Sequence, residues 1–431
     1  MRKLLTILPL VAISLLALMP HSPTAVAQNV VSIEYWNINN QGFGGATVDL
    51  LIEQFEAANP GINVEARVQE SYPSLVQNLE LQVAGGNPPA VVQIGWPYLD
   101  YVYNNLPYVP VEELVEKWGG AEHVAQFPEN ILNLTLMGDS HVGLAYSLSN
   151  PVVYYNADMF VKAGLDPDNP PTTWEGWLEI APQLSQANGG IPVFNFGYGS
   201  DNWILQAFVE SNGGRMLVCK DGEYRSGLDS PEAAAGLQAW ADIVLSGQSL
   251  NATYNEATPA FIGGETVTYT YSIAGRGNLQ SQASFDLRAT VFPQFGDNPV
   301  RVPSGGNLLV VFATDPQQQE AAWKFVQHLT SVEGLSEWTR GLGYVPLYEA
   351  VLNEPAYAEF ITQNPIQQVG NSQLDRMVRW TSFPGPNGLA AGEVAFRATQ
   401  AALGGQMSAA EALAQAAQEI NELIAGQPCT E

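Results

Sequence analysis

Apolar and polar positions follow two rhythms that take turns along the chain from Val30 onward. Val30 to Trp36 alternates with a period of two, which sends successive side chains to opposite faces of a strand. Val48, Leu51, Ile52 and Phe55 then recur at the spacing of one helix face, and Asn59-Pro60-Gly61 stops that helix. Ile62 to Val68 alternates again as a second strand. Ser74 to Val83 reads as an amphipathic helix closed by Gly85-Gly86, and Ala90 to Ile94 as the short apolar run of a buried strand. Repeated strand-helix-strand units of this kind predict an α/β fold with doubly wound, mainly parallel sheets flanked by helices.

The middle of the chain is the same material with larger helices. Pro151 to Tyr155 and Pro192 to Phe196 read as strands, Thr173 to Ala187 as a helix with a threonine cap, and Trp203 to Ser211 as a helix closed by Gly213-Gly214. Ser230-Pro231 opens a helix that runs to Leu245, since proline suits the first helical turn. Val267 to Tyr271 and Leu308 to Phe312 are strand-like, and the rest is almost wholly helical. A chain of 431 residues exceeds one ordinary core. No polar linker interrupts it, so two lobes built from interleaved segments are expected rather than two beads in sequence.

The first 27 residues break the pattern. A basic start (Arg2, Lys3), an apolar run from Leu4 to Met19 broken by Pro9, and a polar stretch ending in Ala25-Val26-Ala27 predict a secretory signal cleaved before Gln28. The run is short for a membrane span, no later stretch is apolar enough for one, and no cysteine stands at the cleavage point to carry a lipid. The expected product is soluble and periplasmic, without stable membrane anchoring. Sixteen basic residues against 43 acidic ones give a net charge of −27, and a field of that sign repels nucleic acid and anionic membrane surfaces.

Catalytic groupings are not found. There is no GxSxG, P-loop, HExxH or dinucleotide fingerprint, and His21, His123, His141 and His328 are scattered. No cofactor, metal or catalytic residue is expected. Cys219 and Cys429 permit one disulfide, but the distance that decides pairing is not readable from sequence. Asp166-Pro167-Asp168-Asn169-Pro170 lacks the ligand spread of a calcium loop and reads as a solvated turn. Tyr154-Tyr155 offers phenolates for a ferric ion, yet adjacent aromatics on alternate faces of a buried strand account for the pair as well. More distinctive are aromatics at strand ends and helix starts: Trp36, Tyr72, Trp96, Tyr98, Trp203, Tyr271 and Tyr344. Ligands of open α/β sheets sit beyond the carboxyl ends of the strands, and aromatic faces there stack on the C–H side of a sugar ring.

Five ordered blocks carry a family resemblance. Asn150 to Trp174 (NPVVYYNADMFVKAGLDPDNPPTTW) holds a strand, a helix, an AGL-P turn and a P-TW helix start. The opening EYW, the runs FEAANPGINVEARV and GGNPPAVVQ, and the stretch from Gly305 to Pro346 complete the set. The chain thereby resembles the family 1 extracellular solute-binding proteins of ABC importers, the group that holds the maltose- and glycerol-3-phosphate-binding proteins.

That resemblance implies a periplasmic-binding-protein-like fold with two α/β lobes joined by three crossovers, near Tyr146, Val291 and Tyr344. Lobe one would hold residues 28–145 and 292–343, lobe two residues 146–291 and 344–431. It implies flytrap closure on a small molecule, delivery to the transmembrane subunits of an ABC permease, and no enzymatic step. The family's binding positions fall on Tyr72, Trp96, Ser147, Ser149, Asp201, Asn202, Trp203, Tyr271, Ser272, Gly305, Gly306, Asn307 and Tyr344, and Trp36 joins them as a strand-end aromatic. Trp96 stands where glycerol-phosphate relatives carry a carboxylate, and Phe383-Pro384-Gly385-Pro386 has no counterpart of their phosphate-gripping arginine. Arg276 and Arg301 are assigned to supporting positions. A neutral mono- or oligosaccharide is therefore the expected ligand, with glycerol phosphate or another polyol, and a secreted carbohydrate-active enzyme, as the competing readings.

Overall fold

Residues 30–429 are described by a computed structural model. Ten strands carry the two sheets. In chain order they are β1 (Val31–Asn37), β2 (Ile62–Val68), β3 (Val91–Gly95), β4 (Leu144–Ser149) and β5 (Pro151–Asn156), then β6 (Phe194–Tyr198), β7 (Ser249–Thr253), β8 (Thr268–Ser272), β9 (Leu287–Val291) and β10 (Gly305–Val311). One sheet has the order β2-β1-β3-β10-β4 and the other β7-β6-β8-β5-β9.

Each sheet contains one reversed strand. β10 runs antiparallel to both β3 and β4, and β5 antiparallel to both β8 and β9, while β2-β1-β3 and β7-β6-β8 pair in parallel. These are the strands by which the chain enters from the opposite lobe. The home strands end at the space between the lobes, so a chain crossing that space begins its strand there and runs back. Four co-directional strands in each sheet match the expected doubly wound, mainly parallel architecture.

The expected strands fall within a few residues of β1, β2, β3, β5, β6, β8 and β10, whereas β4, β7 and β9 had no sequence signature. β4 (LAYSLS) is buried on both faces and therefore lacks alternation, and β7 and β9 are short edge strands with polar residues. The crossover expected at Tyr146 moves to Asn150: residues 144–149 pair with β10 in the first sheet, and pairing with the second sheet begins at Pro151. The passage after Val291 runs through residues 292–304 into β10. Beyond it the helices Pro316–Leu329 and Val332–Gly341 pack against the first lobe, and Val345 bridges to Leu148. Helices Gly388–Leu403 and Ala409–Leu423 then pack on Pro231–Leu245 of the second lobe.

Aromatic packing fixes the second lobe. Trp174 stacks on Phe208 with ring centroids 5.1 Å apart, and Phe208 on Trp240 at 5.2 Å, joining three helices over β6. Cys219 and Cys429 form a disulfide with Cα atoms 5.8 Å apart, which ties the tail to the hairpin Leu217–Lys220/Glu223–Ser226. Residues 166–170 form a turn in which the Asp168 N–H donates to Asp166 Oδ1. Among the described residues no helix is long and apolar enough to cross a membrane. The signal segment expected over residues 1–27 lies outside the described residues.

Candidate functional site

Three helices begin at the rim of the space between the lobes, and their start signals place the side chains there. Ser71 follows β2 and its hydroxyl accepts the Ser74 N–H, opening the helix Tyr72–Ala84 with Tyr72 in its first turn. Asn202 adopts a left-handed conformation (φ 58°) and starts Trp203–Ser211. Thr253 ends β7 and forms a capping box with Glu256, which presents Tyr254. Together with the ends of β4, β6 and β8 and the start of β10, these positions enclose a cleft of about 450 Å³ between the lobes.

The first-lobe wall is anchored from behind. Asn307, fully buried in β10, donates its amide to the Tyr72 hydroxyl at 2.8 Å. Gly306 has φ +107°, and a Cβ there would stand 2.2 Å from the Ser147 carbonyl. A Cβ on Gly305 would meet Ser149 Oγ at 2.4 Å and the Trp203 ring at 3.0 Å, so this glycine lets the second lobe's indole approach the first. The Ser272 hydroxyl donates to Ser149 Oγ at 2.9 Å.

The second-lobe wall is aromatic around one carboxylate. Asp201 Oδ1 accepts the Trp203 N–H at 3.1 Å and the Tyr254 hydroxyl at 3.2 Å, and Oδ2 has no partner among the described residues. Burial pushes the Asp201 carboxyl up to about 6, while those hydrogen bonds pull it back down. Trp380 donates its indole N–H to the Asp201 carbonyl at 3.0 Å and lies 5.9 Å from Trp203, ring to ring. Tyr271 stacks on Tyr269 at 4.8 Å and tilts against Tyr254 at 5.6 Å. Burial raises the Tyr72, Tyr254, Tyr271 and Tyr344 phenols, so each stays protonated, able to donate and to accept. Among the described residues the charged ones in the lining are Glu70 and Asp201, and no Lys, Arg or His contributes to it.

Of the residues singled out from sequence, Tyr72, Ser149, Asp201, Trp203, Tyr271, Ser272, Gly305, Gly306 and Tyr344 meet in this cleft. The remaining five do not line it. Trp96 is buried and donates its indole N–H to the Ser147 carbonyl at 3.1 Å, so it braces the end of β4 instead of facing a ligand. Ser147 accepts the Trp338 indole N–H at 2.9 Å, and Trp338 in turn stacks on Tyr344 at 5.6 Å. Asn307 supports Tyr72 from within the sheet. Trp36 is buried and its indole N–H is taken by Glu34 at 3.0 Å. Asn202 turns its side chain to an adjoining cavity.

Phe43, Tyr198, Tyr254 and Trp380 line the cleft without having been anticipated. Tyr254 follows the edge strand β7, which lacked a signature, and Trp380 lies just before the stretch searched for an arginine. Arg276 and Arg301 are supports, as expected. The Arg276 guanidinium is buried, binds Gln367 Oε1 at 3.0 Å and the Arg340 carbonyl, and burial lowers it to about 10. Arg301 pairs with Glu210 at 3.2 Å. The paired tyrosines are consumed separately: Tyr154 donates to the Ser272 carbonyl and Tyr155 to the Pro167 carbonyl, on opposite faces of β5. That arrangement supplies no shared ferric site.

Residues 51–365 match the family model of bacterial extracellular solute-binding proteins. The sn-glycerol-3-phosphate-binding periplasmic protein UgpB of Escherichia coli strain 536 is 27% identical over 373 residues, spanning 81% of this chain and 82% of that protein. The structure of UgpB from Mycobacterium tuberculosis in complex with glycerophosphocholine superposes with a TM-score of 0.81 at 19% identity, covering 91% of this chain and 98% of that one. The acarbose-binding GacH receptor of Streptomyces glaucescens gives a TM-score of 0.81 at 17% identity, covering 92% and 99%. These relatives are solute-binding proteins, not enzymes.

Proposed function

The chain belongs to the bacterial extracellular solute-binding proteins, the substrate-binding components of ABC importers, and we propose that its cleft takes a mono- or oligosaccharide bearing no phosphate. One observation carries this reading: among the described residues, the charged lining of the cleft is Glu70 and Asp201 alone. A phosphate would bring like charge against a buried carboxylate with no cation to compensate it, an arrangement that costs more the drier the site. Uncharged hydroxyls suit the same wall. Asp201 Oδ2 and the protonated phenols of Tyr72, Tyr254 and Tyr271 take hydroxyl groups, while the Trp203 and Trp380 faces stack on the ring's C–H side.

Capture proceeds by closure. The ends of β4 and β8 and the start of β10 approach across the cleft, so a ligand touching both walls stabilises the closed arrangement over the open one. The closed surface is what the permease subunits read. Export with cleavage before Gln28, and release without a lipid anchor, belong to the same proposal.

The E. coli and M. tuberculosis relatives are described with glycerol-3-phosphate and glycerophosphocholine, and the S. glaucescens receptor with acarbose. The acidic lining favours the second kind. A thermal-shift panel of mono- to trisaccharides beside glycerol phosphates tests the choice. Stabilisation by sugars is expected; stabilisation by glycerol phosphates alone would refute it.

A further inference from the structure

A second cavity of about 260 Å³ adjoins the cleft, with Ser200, Asp201, Pro73 and Trp380 forming the partition. Its walls are aromatic: Tyr98 and Tyr101 from the first lobe, Trp380 and Phe383 from the second, all buried. Its polar lining is mixed, with the hydroxyls of Tyr98, Ser200 and Thr381 and the Gln77 amide beside the acceptors, and Gln206 Oε1 taken by the Thr381 N–H. Asn202 spends its Nδ2 on the Ser200 and Gly392 carbonyls at 3.3 and 2.8 Å, leaving Oδ1 buried without a partner. Gln206 spends its Nε2 on Glu210 and the Arg379 carbonyl, both at 2.9 Å. The Trp380 N–H is already given to Asp201. Two carboxylates complete the lining, Asp201 with its free Oδ2 and Glu393, which has no hydrogen bond or ion pair among the described residues. Burial above all, and then the charges of Asp201 and Glu393, push the Tyr98 phenol up. Among the described residues no Lys, Arg or His lines the cavity.

Aromatic faces beside two carboxylates, with no cationic side chain in the lining among the described residues, suit a positively charged group. We propose that this second cavity is a subsite for an organic ammonium group carried on the ligand whose sugar portion occupies the cleft. The inference rests on the sugar reading of the main cleft and adds an aminated position to it. An ammonium offers its N–H groups to the carboxylates of Asp201 and Glu393 and its charge to the Trp380 and Tyr98 faces.

Calorimetric titration of the whole protein at neutral pH separates the possibilities, with glucose, N-acetylglucosamine and glucosamine, cellobiose and its diamino counterpart, choline, and glycerol 3-phosphate as probes. Glucosamine and the diamino disaccharide are expected to bind at least about tenfold more tightly than their uncharged partners, the scale of one charge-assisted hydrogen bond. Glu393→Gln should cut that preference to about threefold or less. In Gly392→Leu, whose added Cβ meets only Asn202 Nδ2 at 3.8 Å, the new side chain fills the cavity and should remove the preference while glucose binding persists. Equal affinity for charged and uncharged members, or a preference unchanged in both variants, would overturn the ammonium subsite and leave the sugar reading standing. Choline binding abolished by Glu393→Gln, with no sugar bound, would keep the subsite and refute the sugar. Binding of glycerol 3-phosphate alone, or of no probe, would overturn both.

Discussion

The hydroxyl of Ser272, at the end of β8, donates to the hydroxyl of Ser149, at the end of β4, across 2.9 Å. This bond joins the last residue of a second-lobe strand to the last residue of a first-lobe strand, one residue before the chain crosses at Asn150. A single neutral hydrogen bond contributes about 0.5–1.5 kcal/mol, enough to bias an open-closed equilibrium several-fold. Ser272→Ala is therefore expected to open the unliganded protein, seen as a larger radius of gyration in X-ray scattering, and to weaken ligand binding about two- to tenfold. An unchanged radius and affinity would assign the bond no part in closure.

Trp96 and Trp203 separate support from contact. Trp96 braces the Ser147 carbonyl from a buried position, whereas Trp203 reaches the cleft beside Gly305. Trp96→Ala should cost about 3–5 kcal/mol of stability, the range for emptying a large aromatic site, and should show chiefly in the melting temperature. Trp203→Phe, which keeps a ring in the packed site, should leave the melting temperature nearly unchanged and weaken sugar binding by about 1 kcal/mol. The reverse pattern would place Trp96 at the ligand.

Trp96 also shows where sequence reading stops. Its position at the end of a strand is what placed it among candidate ligand residues, and that position is correct. Which side of the strand end it turns to depends on the Ser147 carbonyl in β4, a strand whose two buried faces hide its alternation. Tyr72, Asp201 and Tyr271 were legible because each follows or ends a strand whose pattern is plain and whose carboxyl end must open on the cleft. Tyr254 and Trp380 were not, since one follows a short polar edge strand and the other comes from the C-terminal region, which reads as helix. Seven of the ten strands were legible, β4, β7 and β9 were not, and the reversed direction of β5 and β10 required the pairing itself.

The Tyr72–Asn307 pair yields a prediction on the wall's rigidity. Tyr72→Phe leaves Asn307 Nδ2 buried without its acceptor, and Asn307 Oδ1 is already unpartnered. Stability should fall by about 1–3 kcal/mol, the cost of stranding a buried donor. Pairing Tyr72→Phe with Asn307→Leu should recover part of that loss if the polar pair is the cause. No recovery in the double variant would point instead to a packing defect from the added methyl groups.

The disulfide permits a test that spares the cleft. Cys219 and Cys429 are 210 residues apart, and the tail they hold packs beside the hairpin Leu217–Lys220/Glu223–Ser226, none of whose residues lines the cleft. Replacing both with serine should cost about 2–5 kcal/mol of stability while the ligand affinity at low temperature stays within about twofold. A large loss of affinity would show that the second lobe's wall depends on the tail.

Asp201 gives the pH dependence, with two consequences of opposite sign. Its carboxyl is raised from the ordinary 3.8 to about 6 by burial, so the folded protein holds that proton more tightly than the unfolded chain. Stability from this group is therefore greatest below the unfolded value, falls as pH rises from about 4 to about 6, and is flat above, with a total change of roughly 1–3 kcal/mol. Binding runs the other way. The ionised carboxylate is the stronger acceptor for a ligand's hydroxyl, so affinity should rise as pH climbs through about 6 and level off beyond it. Asp201→Asn removes the titration: it should flatten both profiles, stabilise the free protein at neutral pH, and hold affinity at or below the acid-side value of the parent. Melting temperatures and calorimetric affinities between pH 4 and pH 8 read both at once. A parent affinity that does not change across that range would mean the ligand leaves Asp201 Oδ2 untouched.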